Sequence, residues 1–214
     1  MGLFTSLFGG KKDSANEKEK NDKKNFDILK YDGIRAMRIG KLTYAIKCLE
    51  EATAIQDEME TLQHLANCYA RINQLDDART CLNKMVALSP NEPAVFHSLA
   101  NLCYIQEDYA GMNEACQKAL ALDNQNPATY LLSAKAAIAM NNGIQAIAML
   151  TKAIVLDENF VEALQLRAEI LWNMRQAKDA AEDIQKLLEI NPEDESALLL
   201  KGEILAVKGD EETA

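Results

Sequence analysis

His64 and Cys68 lie one helical turn apart, a spacing that could put two metal ligands on one helix face. No third and fourth ligand accompany them, so no metal is expected, and nothing else in the chain asks for a cofactor. The acidic pairs Glu50-Glu51, Asp76-Asp77 and Glu211-Glu212 stand at exposed helix or turn positions, where solvated faces and helix-start charge account for them. The chain holds no glycine-rich phosphate loop, no HExxH and no GxSxG. Catalysis is therefore not expected, and the polar residues read as recognition chemistry.

The formal charge of −10 argues against a nucleic-acid partner, because binding phosphate needs clustered Lys and Arg. The acid is unevenly placed: net +2 over residues 1–24, −3 over 25–156 and −9 over 157–214. The five cysteines, Cys48, Cys68, Cys81, Cys103 and Cys116, include no CxxC pair and fall mostly in apolar columns. Buried thiols in a reducing compartment are expected of them.

These residues must be positioned by repeated elements. Residues 161–194 read as two amphipathic helical runs broken at Arg175–Ala177 and stopped at Asn191-Pro192. Ala134, Ala168 and Gly202 fall 34 residues apart, as do Leu122, Leu156 and Ile190. A fixed period, with small residues in one column and large apolar ones in another, implies stacked helical hairpins.

Units starting at Phe26, Met59, Pro93, Pro127, Val161 and Glu195 sharpen the pattern, the first being one residue short at Asp57-Glu58. The eighth residue of each is Gly33, Ala66, Ala100, Ala134, Ala168 or Gly202. The twentieth is Ala45, Ala78, Met112, Ala146, Ala180 or Ala214, and the twenty-seventh Ala52, Met85, Ala119, Ala153 or Leu187. Large residues fill position 4 (Leu29, Leu62, Phe96, Tyr130, Leu164, Leu198) and position 24 (Leu49, Leu82, Cys116, Leu150, Ile184). Residues 26–214 thus resemble the tetratricopeptide repeat. Proline at position 32 survives only at Pro90 and Pro192, and Met85 and Met112 put bulk where alanine is usual. That bulk is expected either to widen the helix spacing or to be absorbed by methionine's flexibility.

The resemblance implies an all-α, right-handed superhelical solenoid of antiparallel hairpins, about five and a half units long. It also implies a concave groove lined by positions 2, 5, 9, 12 and 13 of each first helix. Carried over, the early groove is polar and partly basic, with Lys30, Arg38, Gln63, Asn67, Arg71, His97, Asn101 and Tyr104; Lys135 and Trp172 follow. Leu131, Ile138 and Leu199 make the later groove more apolar, and Glu162, Glu169 and Glu203 surround it with acid. The residues expected to contact a protein or peptide partner are Arg38, Asn67, Arg71, His97, Asn101, Tyr104, Lys135 and Trp172. Amide and guanidinium groups suit a peptide backbone or an acidic side chain. A chaperone-type carboxylate clamp is not expected, since its Lys, Asn and Arg positions fall on Gln63, Asn67, Ser98, Ala128 and Leu132, of which only Asn67 fits. Val161 reads as the join between a peptide-binding half and a docking half.

Residues 1–24 are expected to be a disordered tail ahead of an array at 25–214, because KKDSANEKEKNDKK holds no apolar residue larger than alanine. Its tip, MGLFTSLFGG, has three readings: an idle terminus, a Leu3/Phe4/Leu7/Phe8 hook for a partner or membrane surface, and a Gly2 acylation site. No apolar run of membrane-spanning length and no secretory signal are apparent, so the cytoplasm is the expected compartment, with membrane contact confined to residues 3–8. The last unit ends before a second helix, which leaves apolar residues from Leu198 to Val207 in want of cover. The leading expectation is a non-catalytic adaptor. The alternative is self-assembly, or membrane-peripheral assembly, through the tip and the C-terminal helix.

Overall fold

The computed structural model describes the backbone of residues 9–213 and the side-chain surroundings of residues 17–206. Among these residues all regular structure is helical, and packing gathers the chain into two compact units. The first, residues 1–91, contains α1 (Gly9–Arg38), α2 (Leu42–Ile55), α3 (Met59–Arg71) and α4 (Leu75–Leu88). The second, residues 92–214, contains α5 (Pro93–Ile105), α6 (Tyr109–Leu122), α7 (Pro127–Ala139), α8 (Gly143–Leu156), α9 (Val161–Asn173), α10 (Ala177–Ile190) and α11 (Glu195–Thr213). Within each unit, successive helices pair as antiparallel hairpins and each hairpin packs on the next. The all-α hairpin class is as expected. The boundary between compact units falls at residues 91/92.

Residues 11–24 are helical, continuous with the first repeat helix, where an extended tail was expected. Lys and Glu are good helix formers, Glu19 and Lys23 stand at the favourable i, i+4 spacing, and a helix already nucleated at Phe26 extends without a new nucleation cost. The expectations for residues 1–8 lie outside the described residues.

The small columns sit where helices meet. Ala45, Ala52, Ala146, Ala153, Ala168 and Ala180 are wholly buried. At Gly33 an added Cβ would lie 2.7 Å from Leu49 Cγ and 3.3 Å from the Ala45 carbonyl oxygen, so α1 and α2 touch through the missing side chain. Leu49, also wholly buried, occupies the space, a burial that contributes about 1.5–3 kcal/mol. Met112 and Met85 are taken into the core at 0% and 3% exposure.

Each complete hairpin turns at one residue in the left-handed region: Gly40, Asn73, Glu107, Asn141 and Arg175, with φ of 57–76°. The same pair of bonds closes each turn. In the second hairpin, the Asn73 amide donates to the Ala70 carbonyl at 3.1 Å and the Gln74 amide to the Tyr69 carbonyl at 2.9 Å. Equivalent bonds join Arg175 to Trp172 and Gln176 to Leu171, a Schellman closure of the helix end. Glycine is favoured in that conformation, yet Glu107 and Arg175 hold it here.

Two substitutions test this packing. Gly33→Ala, with its Cβ against Leu49 and the α2 backbone, should lower stability by about 1–3 kcal/mol. Gly202→Ala fills open space on α11 and should leave stability unchanged or raise it by up to about 1 kcal/mol. Thermal unfolding of both variants checks the contrast, and equal effects would contradict it.

Candidate functional site

The first helix of each hairpin carries the polar residues singled out by sequence. In the first unit, Arg38 on α1 and Asn67 and Arg71 on α3 are exposed. The Gln63 amide donates to Asn67 Oδ1 at 3.2 Å, one turn away on the same face. Lys30 is different. It is buried, and its ammonium meets Glu58 at 2.8 Å and Glu60 at 2.6 Å, while the Thr61 hydroxyl donates to Glu58 at 2.6 Å. Its charge is spent holding α1 to α3. Burial on its own would lower the Lys30 pKa, but hydrogen bonds and charge from both glutamates raise it above the ordinary value. Burial would raise the Glu58 carboxyl, yet Lys30 and Thr61 hold it below its usual value; Lys30 lowers Glu60 as well.

In the second unit the structure gathers residues from three consecutive hairpins. His97, Asn101 and Tyr104 follow one another along a single face of α5 at i, i+4, i+7. Asn101 and Tyr104 are exposed, and His97 is half-buried. His97 Nδ1 lies 3.0 Å from the Thr129 hydroxyl of α7, and burial depresses its pKa, favouring the neutral ring. Asn101 Nδ2 donates to the His97 carbonyl at 3.1 Å. Lys135 of α7 places its ammonium 5.5 Å from the Tyr104 ring centroid and 2.6 Å from a carboxylate oxygen of Glu162 on α9. Tyr104, Lys135 and Glu162 thus form one chain of contacts across α5, α7 and α9. Lys135 is therefore ion-paired within the strip.

Trp172 is half-buried and packs against the Leu164–Ala168–Leu171 core cluster, so part of its ring serves the core. Leu131, expected to line the surface, is buried in the core. His64 Nε2 stands 3.8 Å from Glu60, and its Nδ1 is buried with no hydrogen-bond partner; burial pushes the Cys68 thiol pKa up. Among the described residues no three His, Cys, Asp or Glu side chains converge as a metal site would require. All five cysteines are buried free thiols.

Sequence reasoning missed the ties between repeats. Lys30 pairs with Glu58, Lys135 with Glu162, and Gln165 with Asp194 at 3.4 Å, separations of 28, 27 and 29 residues. Opposite or complementary groups a few residues short of one period were the available signal. Arg167 makes a further tie, forking onto Asp183 at 2.6 and 2.8 Å and reaching the Thr151 hydroxyl at 3.0 Å, which joins α8, α9 and α10.

The Lys30 cluster sets a pH test. Carboxyls held low in the fold contribute stability above their unfolded pKa of about 4.3, and lose it as pH falls through the lower folded value. The raised Lys30 adds stability below about pH 10.4 that is lost only as pH rises past its folded value. Lys30→Met should therefore cost about 1 kcal/mol at neutral pH, since Glu58 and Glu60 are partly solvated, and should flatten the melting-temperature curve between neutral and acid pH. An unchanged acid slope would show that the pair carries no stability.

Residues 60–92 and 166–214 each match a tetratricopeptide-repeat family model. Tetratricopeptide repeat protein 17 of Mus musculus is 32% identical over 103 residues, and that of Homo sapiens 31%. The match takes in 47% of this chain but only 9% of either relative's length. Among solved structures, MamA from Desulfovibrio magneticus RS-1 superposes with a TM-score of 0.72 at 19% identity, covering 80% of this chain and 97% of that one. Pseudomonas aeruginosa pilF gives 0.73 at 18%, covering 91% and 89%. YrrB, described as a TPR protein with an unusual peptide-binding site, gives 0.67 at 14%, covering 81% and 90%. With the hairpin geometry and the recurring small columns, these matches make the chain a tetratricopeptide-repeat protein.

Proposed function

We propose that this protein is a non-catalytic interaction scaffold that holds an extended segment of a partner protein against the first-helix face of its second unit. The observation that carries the reading is the alignment of Asn101, Tyr104, Lys135 and Glu162 across three hairpins. A continuous polar and aromatic strip of that kind suits a peptide crossing successive helices. Asn101 offers amide chemistry to a peptide backbone, and Tyr104 offers a rigid amphipathic contact that costs little conformational entropy to order. Because Glu162 neutralises Lys135, the strip is better suited to backbone and apolar side chains than to an acidic peptide. Arg38, Asn67 and Arg71 give the first unit a separate face of more basic character, proposed as a second contact surface.

The peptide-binding site of YrrB, a fold neighbour, supports the class of function and not its details. Buried free thiols support a reducing compartment such as the cytoplasm. Among the described residues no helix is long and apolar enough to cross a membrane.

The test is cross-linking capture from native extract, comparing wild type with an Asn101→Ala/Tyr104→Ala/Lys135→Ala variant. At least one protein enriched by wild type should fall about tenfold or more with the variant, the loss expected when a contact worth roughly 1.4 kcal/mol or more is removed. An identical set of captured proteins would remove this face as the binding site.

A further inference from the structure

The charges of the second unit's peptide face can be followed helix by helix. α5 bears no Lys, Arg, Asp or Glu, and its exposed Asn101 and Tyr104 carry no charge. α7 brings Lys135 alone, and Glu162 of α9 pairs it at 2.6 Å. α9 carries two further charges. Arg167 is committed to Asp183 at 2.6 and 2.8 Å. Glu169 lies seven residues beyond Glu162, on the same face of the helix, and is exposed. Among the described residues its carboxylate enters no ion pair or hydrogen bond. Of all the charges on these three helices, Glu169 is the one left uncompensated.

Trp172 follows Glu169 by three residues, which makes the carboxylate and the indole neighbours on the helix surface. The indole packs against the core cluster of Leu164, Ala168 and Leu171, while part of the ring stays open to solvent. The α9 end of the strip thus joins an unpaired carboxylate to an aromatic ring that the core already holds in place. Each of these groups attracts a cation, the carboxylate through its charge and the indole through its ring quadrupole.

We propose that the partner segment carries a lysine or arginine that seats against Glu169 and Trp172. This rests on the reading of the face as a peptide site and names the chemistry that the site selects. A basic side chain there meets an opposite charge and a pre-ordered ring, so little freedom is lost in forming the contact. An acidic residue in the same place would face Glu169 with no cation free to neutralise it. Over α5 and α7 the segment meets an amide, a phenol ring and a pair that is already neutral, and no charge is selected. Packed helices stand about 8–10 Å apart, so the path from Tyr104 to Glu169 is roughly 20 Å, or about six residues of extended chain. The basic residue therefore lies about six positions from the one laid on Tyr104.

Selection on the full chain from displayed random peptides of about a dozen residues, long enough to cross the three helices, tests it. Wild type is compared with Glu169→Lys and with Asn101→Ala/Tyr104→Ala. Peptides enriched by wild type should share a Lys or Arg at one fixed position, and the Asn101/Tyr104 variant should not enrich them. Glu169→Lys replaces an exposed side chain, leaves the core untouched and should favour Asp or Glu at that position. Fluorescence of Trp172, the only tryptophan, then reads the affinity of one enriched peptide and of its copy with glutamine at the basic position. The copy should bind wild type about fivefold to tenfold more weakly, and added salt should narrow the difference. Enriched peptides that depend on Asn101 and Tyr104 but have no basic position, or keep it on Glu169→Lys, would overturn this inference and leave the peptide face standing. Enrichment indifferent to Asn101 and Tyr104, or none at all, would overturn the face and this inference with it.

Discussion

Columns of small side chains let paired helices approach closely in this protein, and the rest of the structure depends on that constraint. At Gly33 even a methyl group would strike Leu49, and at Ala45, Ala146, Ala168 and Ala180 no exposed surface remains. Such contacts fix the depth to which one helix sinks against the next. The large residues of the neighbouring columns, Leu49, Leu62, Leu150 and Leu164, then fill the remaining space. With both columns committed to packing, polar chemistry is left to the outward faces. The first-helix face can vary without disturbing the core, and it is there that Asn67, Asn101 and Tyr104 stand exposed.

Polar ties between hairpins decide which of these charges remain open to a partner. Lys30 and Lys135 are both engaged by glutamates from the next first helix, and Arg167 is engaged by a buried aspartate. Removing one member of the Arg167–Asp183 pair would leave a charge buried without its partner, a far larger cost than the net gain from forming the pair. The repeat thereby converts several cations into structural links. The face that remains in the second unit is amide, aromatic and acidic, while the partly basic character expected of the early repeats stays with the exposed Arg38 and Arg71 of the first unit.

The hairpin order was legible because it rests on periodic size: Ala134 and Ala168 recur at the period, and both are buried at the helix contacts. The left-handed turns were hidden at Glu107 and Arg175, because no glycine marks them; their conformation is set by two carbonyl contacts that only the folded helix end provides. Residues 11–24 misled for another reason. Their composition predicts that they bury nothing, which holds for the exposed residues 17–20, but helix continuity requires only good helix formers and a nucleus at Phe26. For the site, residue types placed Asn101 and Tyr104 correctly on an outward face. Burial of Lys30 and Leu131 depended on neighbours a period away, and so did the half-burial of Trp172.

The central claim is that the second unit's first-helix face is the recognition surface. Amide hydrogen exchange with and without a captured partner bears on it most directly. Protection should gather on α5, α7 and α9 and leave the second helices of these hairpins, α6 and α8, at their free rates. Protection confined to α6, α8 and α10 would contradict the claim.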